Sequence, residues 1–281
     1  MKTHTIAMLF SMALLPPSTW AAAVADWKFE PGSFLTDSSD GNNLTRTGSV
    51  DQVSYPSSGR GTSFPAGHTA GAEFNSTGEY LGATLTPLTG NFTVEAFINH
   101  DSNTQLENLG HHWGALIAGA FSGSNINAGA WSFETRLDGL FNTVPGELLI
   151  GLNGPGGSVA IDSNIVVLTG KDYYVAASVT LGSSGQVTFY AQNLTDAGPL
   201  QSSTRSFNRP SLNSFGTVWI GETPDGFNFL FDGVIDEVRL SNAALTSSEL
   251  LINAIPVPAG LPLLVSALVA LSCYGRRRRN S

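Results

Sequence analysis

Asp236 is the residue whose type and setting most suggest chemistry. It lies in Val234-Ile-Asp236-Glu-Val238-Arg-Leu240, and strand alternation puts Val234, Asp236, Val238 and Leu240 on one face, with Glu237 on the other. A carboxylate on an apolar face needs a metal ion, an Arg or several N–H donors. Either a bound cation or a set of backbone N–H groups at a strand crossing meets that need. Other groupings read less sharply. Residues 37–43, Asp-Ser-Ser-Asp-Gly-Asn-Asn, lack the ligand spacing of an EF-hand, and side chains of this kind close their own turns. Residues 151–158 are glycine-rich, but no Lys and no helix follow, so they form a hairpin connection rather than a phosphate loop. His111 and His112 would point to opposite faces of a strand; with His100 and Asp101 they read as loop residues. Trp113 and Trp131 border Gly-rich segments, where they pack in the core or at a rim or else offer a sugar-stacking surface. Trp27 and Trp219 sit in apolar strand contexts and read as core.

Catalysis finds little support. A retaining glycosidase needs two carboxylates about 5–5.5 Å apart. Glu134 and Asp138 are four residues apart, and no G-x-S-x-G, H-E-x-x-H or Ser–His–Asp arrangement occurs. The single Cys excludes a disulfide framework and a Cys-based zinc site. The chain reads as a non-enzyme.

The elements that must position these residues are strands. Of 281 residues only 12% are charged, and 31 are Gly, which argues against coiled coils and long surface helices. Phe92, Val94, Ala96 and Ile98 share one face, as do Val175, Ala177 and Val179. Further strands are expected at 26–30, 113–121, 130–137, 147–153, 186–192, 217–222 and 233–240, separated by Gly-, Ser- and Pro-rich turns. Thr246-Ser-Ser-Glu249 is a capping box that predicts a short C-terminal helix. Five of the 13 basic residues are Lys2 and Arg276, Arg277, Arg278 and Arg279. Eight remain against 22 acids between Asp26 and Ile255, a net −14 that excludes nucleic acid as a partner.

Both ends carry targeting patterns. Lys2, the apolar run 6–15 and Ala23-Val24-Ala25 make a signal peptide over residues 1–25. Residues 253–281 hold a linker, the motif Ile255-Pro256-Val257-Pro258-Ala259, an apolar run to Tyr274 and the four arginines. That run predicts a single transmembrane anchor helix with the arginines on the cytoplasmic side. The tail resembles the PEP-CTERM class of bacterial sorting signals, in its V-P-L-P-A variant. This resemblance implies an exosortase, a membrane transpeptidase, as partner at the inner membrane. The expected destination is the cell surface or extracellular matrix.

Residues 26–252 resemble the laminin-G-like, concanavalin A-like jelly-roll family. Phe231-Asp-Gly-Val-Ile-Asp-Glu-Val-Arg-Leu240, followed by Asn242-Ala-Ala-Leu245 and Glu249, is similar to its last strand and the turn after it. Asn91-Phe-Thr-Val-Glu-Ala-Phe-Ile98 is similar to its F-T-V-E-A-W-V strand. The resemblance implies an all-β, two-sheet antiparallel jelly-roll sandwich and a structural Ca²⁺ on Asp236. Glucanases of this fold carry E-x-D-x-x-E on one strand, a triplet missing here. The expected function is a surface module that binds glycan or exopolysaccharide. The alternatives are a structural or adhesive matrix protein and, behind it, a divergent glycoside hydrolase.

Overall fold

The two-residue periodicity is realised in a computed structural model that describes residues 23–75, 78–101, 115–120, 129–136, 144–222 and 230–253. The strands are β1 (Ala23–Trp27), β2 (Thr45–Thr47), β3 (Asp51–Ser54), β4 (Ala70–Phe74), β5 (Tyr80–Thr84), β6 (Phe92–His100), β7 (Ala115–Ala120) and β8 (Trp131–Thr135). They continue with β9 (Glu147–Gly154), β10 (Gly157–Val166), β11 (Asp172–Thr180), β12 (Gly182–Asn193), β13 (Gln201–Arg209), β14 (Thr217–Ile220) and β15 (Gly233–Ser241). One sheet has the order β13-β12-β11-β6-β15-β4-β3, with β1 also paired to β15; the other runs β10-β9-β8-β7-β14-β5-β2. All pairings are antiparallel, so the chain is an all-β sandwich of jelly-roll type.

The core lies between the sheets. Phe92, Val94, Ala96 and Ile98 meet Val175, Ala177 and Val179 there, as their alternation predicts, and Phe92 packs on Trp131 with ring centroids 5.3 Å apart. The outer face of the eight-stranded sheet is also covered. The β3–β4 connection and the segment after β15 lay Tyr55, Phe64, Leu245 and Leu250 over Phe97, Tyr174 and Val234. Each buried side chain of this size contributes about 1.5–3 kcal/mol, so this second layer is a substantial part of the fold.

One open alternative is decided and two expectations change. Trp131 takes the core place: it is fully buried between the sheets, and no sugar can reach it. The segment after the capping box is two 3₁₀ turns, Ser247–Glu249 and Leu251–Asn253, rather than an α-helix. Glu249 does accept the N–H and hydroxyl of Thr246, but Leu250 between the turns is extended and buried, which stops helical propagation. The second change concerns β15. Ile235, Val238 and Leu240 enter the core, while Val234 sits in the outer layer. A bulge between Asp236 and Arg239, with Glu237 at φ 41°, reverses the alternation. Its place follows from topology: β4 pairs with β15 up to Ile235, and β1 takes over the same edge from Val238.

Residues 1–22 of the expected signal peptide lie outside the described residues, as do Ile255, Pro256, Val257, Pro258, Ala259, the apolar run and Arg276–Arg279. Among the described residues no helix is long and apolar enough to cross a membrane.

Candidate functional site

The bulge in β15 brings Asp236 and Glu237 to the same histidine. His68, from the β3–β4 connection, holds Asp236 Oδ2 at 2.7 Å through Nδ1 and faces Glu237 Oε2 at 3.0 Å through Nε2. Sequence alternation had put these carboxylates on opposite faces; the left-handed backbone of Glu237 turns its side chain back. Asp236 is fully buried, and its Oδ1 accepts the Glu237 N–H at 2.7 Å. Burial pushes the Asp236 carboxyl up to about 6, against the pull of His68. Burial also works against a charged His68, but the two carboxylates outweigh it and raise its pKa to about 9. At neutral pH the cluster is therefore an imidazolium between two carboxylates, with Lys28 3.6 Å from Glu237 on the solvent side.

Glu30, His68 and Asp236 each offer a ligand atom within 4.8 Å of the others. Calcium takes about six to eight oxygens. Here one of the three donors is an imidazole nitrogen, Glu30 already accepts the N–H and hydroxyl of Thr69, and both Asp236 oxygens accept N–H donors. The residues present do not fit calcium. A nitrogen-and-carboxylate set suits a transition ion better, but both nitrogens of His68 already face carboxylates.

A second place for chemistry lies on the outer face of the seven-stranded sheet. Trp219 of β14 was expected in the core, yet Val218 and Ile220 are the residues that face inward, so Trp219 must face out. It pairs with Gly82 of β5 and Gly119 of β7. A Cβ at Gly82 would meet the indole at 2.6 Å, so the ring lies against the bare backbone. Tyr80 braces it edge-on, with centroids 5.0 Å apart and planes at 88°. The partly exposed indole borders a groove of about 460 Å³ lined by Asn42, Asn43, Thr45, Thr84 and Thr217. Among the described residues the hydroxyls of Thr84 and Thr217 make no hydrogen bond.

The wall of that groove is built by Asp37. Its carboxylate accepts the backbone N–H groups of Asp26, Ser39, Asp40 and Asn42, which knots residues 37–43 as the Asx-rich sequence predicts. Burial opposes the ionised form, but the donors from Ser39, Asp26 and Asn42 hold it at about 2. Trp27 ties the knot to β1 by donating Nε1–H to the Asn42 carbonyl at 2.8 Å.

The other candidates separate. Glu95 and Arg239, from the two strands that carried the resemblance, form a buried ion pair; Glu95 also accepts the Tyr174 hydroxyl and the Leu251 N–H. These two are structural. Glu134 is buried on the outer face of β8 and pushed up to about 7 by that burial, against the Ser132 hydroxyl and Arg136. Asp138, His111, His112 and Trp113 lie outside the described residues. His100 is fully buried against Phe231, and burial lowers its pKa to about 4, so it is a neutral core residue. Asp101 pairs with Arg60 instead.

Residues 74–251 match the family model of the concanavalin A-like lectin/glucanases superfamily, in its laminin-G-type branch. The chain belongs to this family. The matched part of the concanavalin A-like domain contains Glu95, Trp219, Asp236 and Arg239, whereas the knot at 37–43 precedes it. No curated protein matches the chain. Among solved structures, a point mutant of HCR/D is similar at 15% identity and TM-score 0.53, over 83% of this chain and 50% of that one. The present chain thus spans about half its length. The Ruminococcus gnavus IT-sialidase CBM40 bound to α2,3-sialyllactose is similar at 14% identity and TM-score 0.41, over 58% and 80% of the two chains. The PL-14 alginate lyase of Aplysia kurodai is similar at 11% identity and TM-score 0.45, over 78% and 99%.

Proposed function

We propose that the chain is an exported, non-catalytic surface module that binds glycan in the groove at Trp219. One observation carries this reading: an indole laid over Gly82 and braced by Tyr80 borders a groove whose other walls are amides and hydroxyls. A pyranose ring has an apolar C–H face and a polar rim, and this groove offers both partners at a volume within the ordinary range for ligand sites, about 300–1,000 Å³. The family description, lectins and glucanases, is in keeping with it. The non-catalytic part rests on Glu134, on which, among the described residues, Ser132 and Arg136 act rather than a second carboxylate. Export by the N-terminal signal and sorting by an exosortase-type transpeptidase through Ile255–Ala259 would bring the module from the inner membrane to the cell surface, beside an exopolysaccharide matrix.

A glycan microarray probed with the full chain tests the reading. Binding is expected for the native protein and is lost in Trp219→Ala and in Gly82→Val, where the new side chain displaces the indole. An empty array together with capture of matrix proteins would favour the adhesive alternative. Release of reducing ends from the exopolysaccharide would establish a glycosidase.

A further inference from the structure

The groove at Trp219 also indicates which glycans it takes. Among the described residues its lining consists of one indole, the amides of Asn42 and Asn43, three threonines and backbone, with no charged side chain. A uronate or sialate carboxylate that enters such a groove loses water and needs a cation, preferably a bidentate guanidinium, in return. The nearest basic position in sequence is Arg46, beside Thr45 on β2, and its Nη1 already donates to the Val50 carbonyl at 3.1 Å. The field of the whole domain, net −14 between Asp26 and Ile255, repels polyanions before contact. An uncharged sugar meets none of these costs. Its C–H face covers the indole, and its hydroxyls reach Thr84 and Thr217, whose own hydroxyls have no partner among the described residues.

We infer that the Trp219 groove selects neutral pyranose polysaccharides and rejects uronate- and sialate-bearing ones. This rests on the glycan-binding reading above and narrows it to a substrate class.

Affinity electrophoresis of the full chain tests the inference, with gels containing neutral polymers (β-glucan, xyloglucan, galactomannan) or acidic ones (alginate, polygalacturonate), and sialyllactose as a soluble competitor. Retardation is expected in at least one neutral gel, unchanged between about 0.1 M and about 1 M salt because no ion pair is made. Trp219→Ala weakens it by about tenfold or more, with an unchanged melting curve as the folding control. Thr217→Lys, which leaves the indole in place, gains salt-sensitive retardation by alginate. Retardation by acidic gels alone, abolished in Trp219→Ala, would leave the glycan-binding groove standing and overturn its neutral selectivity. Retardation by none of the polymers would overturn the glycan reading and this inference with it.

Discussion

Replacing His68 by Gln removes the imidazolium that bridges Asp236 and Glu237 while keeping a hydrogen-bonding side chain of similar size. His68 rises from 6.5 in the unfolded chain to about 9 in the fold. Each pKa unit is worth about 1.4 kcal/mol, so full linkage would give about 3 kcal/mol. Its side chain is 13% exposed, and solvent screening brings the expected contribution to about 2 kcal/mol. The sign follows from the raised pKa. The stabilisation is complete below 6.5 and is lost as the pH climbs through about 9. Asp236, also raised, acts in the same direction in a lower window, between 3.8 and about 6, so the region above 6.5 reports on His68. For a domain of this size about 2 kcal/mol is about 4–8 °C in Tm. Thermal melts of the native protein and His68→Gln should therefore differ by that amount near pH 6 and converge near pH 10. EDTA should change neither curve, and calcium should raise neither. A gap that stays constant across this range would refute the imidazolium. A native melt that rises with calcium, by the equivalent of about 2.7 kcal/mol at a hundredfold excess over Kd, would put the ion on Asp236 and displace His68 as its counter-charge.

Asp37→Ala should destabilise the domain by about 1–3 kcal/mol and abolish glycan retardation, because the knot that walls the groove comes apart. In the native protein this contribution is present above 3.8 and is lost as the pH falls toward about 2, which acid titration followed by tryptophan fluorescence of Trp27 would detect. Replacing Arg276–Arg279 by Ser should leave the protein mis-sorted or released, read by surface labelling; normal display would remove the sorting proposal. N-terminal sequencing of the exported protein should find its first residue at or before Ala23. Cleavage after Ala25 would instead strip from β1 the pairs that Ala23 and Ala25 make with Ser241 and Leu240.

Much of the sandwich was legible because burial between two sheets imposes strict alternation on strands such as β6 and β11. Strands with little to bury were not. Gln201–Arg209 alternates among Ser, Thr and Asn, and its place at the sheet edge leaves most of its side chains exposed, so no hydrophobic pattern marks it. Asp236 was legible as a residue under constraint, but its partner was not. His68 lies 168 positions away on a connection whose path no local pattern reports. The alternation rule also failed at the bulge, since one extra residue reverses every face assignment beyond it. The only local hint is that Glu237 follows Asp236, two acids together where β4 gives way to β1 along the same edge.

The tryptophans make the same point for function. Trp131 and Trp219 both sit in short strands of the same sheet. Composition around Trp131 left core, rim and surface open, while the apolar context of Trp219 pointed to the core, yet Trp219 is the one that faces out. What separates them is parity within their own strands. Val218 and Ile220 are both apolar and flank Trp219, so an alternating strand that buries those two must expose the indole; Ser132 and Glu134 interleave with Trp131 and Phe133, so the aromatic pair is the buried set. Read this way, an aromatic residue set between two aliphatic ones in a four-residue strand belongs to the outer face. Gly82 across from it supplies the flat ground that such a ring needs. The groove is thus written in two strands that are far apart in sequence, and only their register joins the tryptophan to its glycine.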